Sequence, residues 1–412
     1  MPNEWEEVNL GEVIKHQKGY AFKSGSYKKH GVRIIRISDT TRNSIHDKSP
    51  VYLDNKEAQA LSNFQLQSED IILSTVGSRP HLLDSMVGKA VQVPAKDNGA
   101  LLNQNLVKII PKNQLITNNY LFSMLTKSRF IYFISTLVRG NANQVSITLA
   151  ELFAYKFLLP TYKEQQKIAT ILGTWDKAIS TTERLIDNSK QQKKALMQQL
   201  LTGKKRLLDD SGKPFEGELQ RLSMSELATI DKESLGKKTP DNFEFNYISL
   251  SDVDTGSISR RLEKHVFESS PSRARRIVRN GDILLATVRP NLKGFAKAEE
   301  LHDGMIASTG FSVLSPKKNV SGSYLYHYLF SCHLTGQINA LVVGSNYPAI
   351  NSSDVGGLKI YCPSYSEQQK IASVLNNADG LIKTLEQQLA DLKNEKKALM
   401  QQLLTGKHRV IV

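Results

Sequence analysis

The sequence predicts an α+β protein: two mixed α/β domains separated by two long α-helices, packed on each other as an antiparallel coiled coil with pseudo-two-fold symmetry. Three observations predict it. The stretch EQQKIATILGTWDKAIS from Glu164 returns as EQQKIASVLNNADGLIK from Glu367, and KKALMQQLLTGK occurs verbatim from Lys193 and from Lys396, always 203 residues apart. These stretches lack proline and carry apolar residues at a 3.5-residue period, as coiled-coil helices do. The segments before each copy are instead short β-rich runs bounded by Gly, Asp, Asn and Pro. A repeat of this length is a duplicated domain-sized unit and not a solenoid.

In chain order the units are a first variable domain over 1–162, a long helix over 163–207, a second variable domain over 208–365 and a second long helix over 366–412. Fainter echoes tie the two variable domains together. Asn9-Leu10-Gly11-Glu12-Val13 resembles Ser223-Met224-Ser225-Glu226-Leu227, Ile37-Ser38-Asp39 resembles Leu250-Ser251-Asp252, and EDIILSTV from Glu69 resembles GDILLATV from Gly281. Further on, Asn119-Tyr120-Leu121-Phe122 matches Ser323-Tyr324-Leu325-Tyr326, and Gly140 before an Asn-rich loop matches Gly344. The runs 32–37, 71–76 and 283–288 read as strands, 120–133 and 324–330 as helices. The two domains share an order of landmarks and differ in the loops between them.

Steps of four and three residues along the first long helix reach Ile168, Leu172, Trp175, Ile179, Thr182, Ile186, Ser189, Lys193, Leu196 and Leu200. Along the second they reach Ile371, Leu375, Ala378, Ile382, Leu385, Leu389, Leu392, Lys396, Leu399 and Leu403. Both rows are mostly apolar, and each seam needs a partner, for which the other copy is the nearest candidate. Lys193 and Lys396 occupy the same step, either extending their charged ends outward or helping to fix the register. At 1.5 Å per residue each helix is roughly 60 Å long. A parallel pair forces the linker after Gly203 to run back almost fully stretched. An antiparallel pair needs no such stretch and places one variable domain at each end.

The chain has 412 residues, with 54 Lys and Arg against 40 Asp and Glu, a formal charge of +14 that favours polyanionic partners. Its two cysteines, Cys332 and Cys362, cannot form a disulfide framework and suit a reducing compartment. The acidic first ten residues and the lack of any long apolar run predict a cytoplasmic protein that stays out of the membrane. No Pro-Pro-aromatic methyltransferase tetrapeptide, Walker loop, His-Glu-x-x-His or metal-ligand spacing occurs. Glu69-Asp70 reads as a turn carboxylate pair. The sequence therefore predicts a chain with no catalytic, cofactor-binding or metal site.

Two divergent domains, each followed by a near-identical long helix opening with EQQKIA, resemble the specificity (S) subunit of type I restriction-modification systems. The runs PTYKEQQ from Pro160 and PSYSEQQ from Pro363 carry the resemblance most specifically. It implies a non-catalytic DNA-recognition subunit with two target recognition domains, each reading one half of an asymmetric, bipartite double-stranded DNA site. The implied partners are two methyltransferase (M) subunits and, in the full complex, restriction (R) subunits. S-adenosylmethionine, ATP and Mg²⁺ then belong to those partner chains. The recognition subunit of a related fused restriction-methylation system, and a coiled-coil scaffold joining two protein-binding domains, are the alternative readings.

Readout of bases needs Arg, Lys, Asn or Gln on loops that enter the major groove. After the shared strand the candidates are Ser78, Arg79 and His81 in the first domain, and Arg289, Asn291 and Lys293 in the second. A second set follows the aligned glycines: Asn141, Asn143 and Gln144, matched by Ser345, Asn346 and Tyr347. Lys18, Tyr20 and Lys23 suit phosphate contacts, which position a protein without specifying sequence.

Overall fold

The computed structural model describes residues 5–41, 44–77, 87–137, 145–342 and 348–411. The chain forms two compact units, Met1–Thr182 with Gln388–Val412, and Glu183–Gln387. The long helices span Tyr162–Leu200 and Tyr365–Leu403, so each unit holds one variable domain and a portion of both helices.

Both variable domains are closed the same way, by pairing their first strand with their last. Glu6–Asn9 lies antiparallel to Lys156–Leu159, and Gln220–Ser223 antiparallel to Lys359–Cys362. The echo at Asn9 and Ser223 is then a capping box opening a single helical turn. The Asn9 amide donates to Glu12 (2.9 Å) and the Ser223 amide to Glu226 (2.6 Å), which fastens the chain as it leaves the first strand.

Each domain contains a four-stranded antiparallel sheet. In the first its order is Ile14–Lys18, Leu106–Pro111, Ile71–Ser74 and Ala90–Gln92. In the second it is Ala228–Ile230, Phe311–Pro316, Ile283–Ala286 and Phe295–Lys297. Ile71–Ser74 and Ile283–Ala286 are buried at every residue, which explains their run of consecutive apolar residues, broken only by the buried Ser74. A second sheet pairs Val32–Ile35 with Val51–Leu53 and, in parallel, with Leu101–Leu102. Its counterpart pairs Glu244–Ile248 with Glu263–Val266 and, in parallel, with Ile306–Ser308, and adds a fourth strand, Ala274–Ile277.

Two helices follow in each domain, Asn118–Leu125 and Ser128–Leu137, then Gly322–Leu329 and Cys332–Leu341. The single helix expected over 120–133 is thus two. The break falls at Thr126–Lys127, where the Thr126 hydroxyl turns back to the Phe122 carbonyl (3.1 Å). Lys127 is buried and its ammonium donates to the Leu404 carbonyl (3.0 Å), just past the end of the second long helix. Burial pushes its pKa down to about 8.

The EQQ motif fastens the long helices to the sheets. Glu164 and Gln165, and likewise Glu367 and Gln368, are almost fully buried. Glu164 accepts from the Thr161 amide (3.2 Å) and hydroxyl (2.9 Å), capping the first helix, and from the Trp5 indole (3.1 Å). Its other oxygen accepts from Arg409, beyond the end of the second helix. In the second unit Arg206 grips Glu367 through two bonds of 2.7 and 2.6 Å. The glutamines reach into the domains. Gln165 donates to the Pro160 carbonyl (2.9 Å) and accepts from the Thr117 amide (2.9 Å), the cap of the Asn118–Leu125 helix. Gln368 repeats this with Pro363 (2.9 Å) and Ser321 (3.0 Å).

Within each unit the helix portions run antiparallel. Asp176 pairs with Lys396 and Glu164 with Arg409 in the first, and Lys193 pairs with Asp379 and Arg206 with Glu367 in the second. Each pair becomes its counterpart by exchanging the two copies of the repeat. Of the seam residues, Ile168, Leu172 and Leu403 join the core of the first unit, and Leu200, Ile371 and Leu375 that of the second. Ile186 and Ile382 are also buried; Trp175, Ile179, Leu196, Leu385, Leu389, Leu392 and Leu399 are half-buried.

Two consequences are measurable. Glu69 holds a left-handed conformation (φ 69°) where its counterpart is Gly281 (φ 88°), and each precedes an aspartate that caps the turn before the central strand. Glu69→Gly should therefore raise the unfolding free energy by about 1 kcal/mol in urea melts. Burial raises the pKa of Glu164, but its bonds to Arg409, Thr161 and Trp5 outweigh burial and bring it below its ordinary 4.5. A lowered carboxyl pKa stabilises the fold above that value, and the contribution disappears as pH falls through the folded-state pKa. Glu164→Gln should cost about 2 kcal/mol at pH 7 and flatten the loss of stability below about pH 4.5.

Candidate DNA interface

In each domain the two loops carrying most of the DNA-contact candidates leave from the same place. In the first, Val76–Gly77, just after the central strand, pairs with Val145–Ser146, and the Ile147 amide donates to the Thr75 carbonyl (3.0 Å). In the second, Val288 bridges Ala349, the Arg289 amide donates to the Pro348 carbonyl (2.7 Å), and the Ile350 amide to Thr287 (2.9 Å). The shoulders of both loops are therefore stitched together by backbone. Ser78, Arg79, His81, Asn141, Asn143, Gln144, Ser345, Asn346 and Tyr347 lie outside the described residues.

Arg289, Asn291 and Lys293 belong to one tight turn, built on a 3-10 turn over Pro290–Leu292. Arg289 (φ 49°, ψ 50°) and Lys293 (φ 55°, ψ 39°) are both left-handed, at about 1–2 kcal/mol each for a residue with a side chain. Five non-glycine residues have positive φ among the described residues, and two of them fall here. Buried Pro290 points the turn inward, while Arg289, Asn291 and Leu292 are exposed, Leu292 at 65%.

Against the strand that follows this turn, Phe295–Lys297, lies a hairpin that sequence reading missed, Val253–Asp254 paired with Ser257–Ile258 across Thr255-Gly256. The Gly256 amide donates to Phe295 (2.8 Å), in the strand following the turn. A two-residue loop ending in glycine was the available signal. Its counterpart in the first domain brings Thr40 against Ile45. His46 and Ser259 close these hairpins identically, donating backbone bonds to Asp39 (2.9 Å) and Asp252 (2.7 Å).

Lys18 ends the strand Ile14–Lys18, at the edge of the sheet from which the first domain's loops emerge, and is exposed, as is Lys23. Gly19 between Lys18 and Tyr20 is obligatory, because a Cβ there would sit 2.1 Å from the Asn103 carbonyl oxygen. Tyr20 is 40% exposed and packs on Phe22 and Phe64 with ring centroids 5.0 and 5.3 Å away. It thus has a packing role beside any contact with phosphate.

The family model described as type I restriction modification DNA specificity domain matches residues 2–189 and 222–394. The chain belongs to that family. It is 26% identical to the type I restriction enzyme MjaVIII specificity subunit of Methanocaldococcus jannaschii over 443 aligned positions, covering 100% of this chain and 94% of that protein. The crystal structure of the type I restriction-modification S subunit from M. genitalium superposes with a TM-score of 0.62 at 14% identity, covering 98% of this chain and 97% of the other. A structure described as underlying complex assembly and conformational transition of the type I R-M system gives 0.56 at 17% identity, with 99% of both chains covered. These likenesses establish a shared fold.

The variable domains are thus the recognition domains of a type I specificity subunit. Among the described residues, no group of three or more His, Cys, Asp or Glu is placed to hold a metal, and no helix is long and apolar enough to cross a membrane. Glu69-Asp70 lies in a turn, with Asp70 accepting from the Gln67 amide (2.6 Å) and pairing with Lys108.

Proposed function

We propose that this chain is the non-catalytic reading subunit of a type I restriction-modification complex, acting in the cytoplasm on an asymmetric, bipartite DNA site. Each recognition domain binds one half-site, and the paired helices set the unread spacer and dock two methyltransferase subunits. Restriction subunits join for cleavage, so the same chain directs methylation and restriction. S-adenosylmethionine, ATP and Mg²⁺ act in the partner chains.

One observation supports this most strongly: the same sheets, hairpins and helix junctions are built twice, while the loops leaving the reading edge share little sequence. A mismatched base pair typically costs about 1–3 kcal/mol, too little for one small reader to find its site among the roughly 10⁶ or more positions of a genome. Two readers joined stiffly multiply their selectivities and favour one spacing. A second observation favours paired docking. Within the verbatim repeat, Lys194, Ala195 and Gln198 are exposed, as are Lys397, Ala398 and Gln401. Core packing does not require identity at exposed positions, whereas two copies of one partner do.

Methylome sequencing of cells expressing this chain with its cognate methyltransferase should reveal a two-part motif with a fixed gap. Exchange of residues 208–365 for another second domain should change one part only. An uninterrupted motif, or no motif, contradicts the reading. Tyr162 and Tyr365 begin the two helices at equivalent positions, 41% and 42% exposed. Tyr162→Ala and Tyr365→Ala should each weaken methyltransferase binding about tenfold at one of two sites in titration calorimetry.

A further inference from the structure

We propose that Leu292 is a base-reading residue of the second recognition domain and recognises the 5-methyl group of a thymine in the major groove. The inference rests on the reading of that domain as a DNA reader and names one chemical feature of its half-site.

An exposed leucine alone means nothing, since folded proteins expose many. The support of this one is unusual. It sits at the tip of the Arg289–Lys293 turn, 65% exposed, between two left-handed residues of which neither is glycine. Such conformations persist only where surrounding bonds over-determine them, and they concentrate at ligand-contacting sites. Here a set of backbone bonds and one buried hydroxyl serve as anchors. The Leu292 amide donates to Arg289 (2.9 Å), Lys293 to Pro290 (3.0 Å), Arg289 to Pro348 (2.7 Å) and Phe295 to Lys293 (2.7 Å). At the base of the turn Thr287 donates both its amide (2.8 Å) and its buried hydroxyl (2.9 Å) to the Gly310 carbonyl. The turn is therefore a rigid support that holds an apolar side chain out in water.

The neighbours indicate what the tip meets. Arg289 and Lys293 flank it with positive charge, suited to phosphates on either side, and exposed Asn291 can pair with a base edge. Leucine can neither donate nor accept a hydrogen bond. The thymine methyl is the apolar feature of the major-groove edge, so it is the feature such a side chain can select.

The test uses the full chain assembled with its cognate methyltransferase subunits and duplexes carrying the site defined by the methylome. Each thymine of the second half-site is replaced in turn by uracil, which removes only the methyl group. For the unaltered chain one replacement should weaken binding about five- to tenfold. Leu292→Ala should lose a similar factor on thymine DNA and be indifferent to that uracil, while Leu292→Met keeps the methyl sensitivity. Melting temperatures should not change, because the side chain is exposed. A half-site without thymine, losses that simply multiply, or a Leu292→Ala complex with unaltered selectivity each overturn the proposal. So does a loss of DNA bending without uracil sensitivity, the mark of a wedge between base steps. A complex selective in this half-site but unaffected by Leu292→Ala refutes this inference alone, whereas one with no sequence preference refutes the underlying reading as well.

Discussion

The structure depends on a buried carboxylate at the start of each long helix and the arginine it holds. Glu164 meets Arg409, and Glu367 meets Arg206, so each helix beginning is tied to the segment following the other helix. The positive end of the helix dipole favours the glutamate, and the negative end of the neighbouring helix favours the arginine. The arrangement also selects direction. Parallel helices in register would bring Glu164 beside Glu367 and Lys193 beside Lys396, so every pair described here would become a repulsion. Because the copies are near-identical, an attraction at one junction is automatically repeated at the other, as in a self-complementary two-fold interface.

The motif joins this helix pairing to the recognition domains. The adjacent glutamine caps no helix of its own; it satisfies the amide of the N-cap residue of a helix inside the domain and the carbonyl of the proline before the long helix. Two consecutive side chains thus bind the long helix to its antiparallel neighbour and to the sheet-and-helix layer. Placing four polar groups in a buried site is costly unless each is satisfied, and their partners account for them.

Much of this was legible in the sequence, because duplication turns one chain into its own comparison. The long helices, their seam and the β-rich central strands could be read from repeated identity and period. The parallel pairing of Val32–Ile35 with Leu101–Leu102 could not, since strands so distant in sequence leave no local pattern. Nor could the role of EQQ, whose partners at Thr117 and Arg409 lie far along the chain. The helix break at Lys127 was hidden because a lysine within an apolar helical run reads as surface, yet this one is buried against the Leu404 carbonyl. Among the site candidates, Arg289, Asn291 and Lys293 share a single turn, while Leu292 between them carries no sequence signal because apolar residues do not announce a polar ligand.

The construction of that turn separates what must stay fixed from what can vary. Its anchors include backbone bonds, which are indifferent to the side chains they carry, so the exposed residues 291 and 292 can be exchanged without refolding the domain. Backbone conformation still biases the choice: a left-handed position favours Gly, Asn or Asp when stability alone decides. Arginine and lysine there are choices against local stability, offset by whatever their charge contributes. The same reasoning does not extend to Glu69, also left-handed, which lies in a turn before the central strand where the other domain has glycine. Strain marks a functional turn only when it coincides with exposed chemistry suited to a ligand, and of these two positions the Arg289–Lys293 turn, which presents Asn291 and Leu292 to solvent, meets that condition.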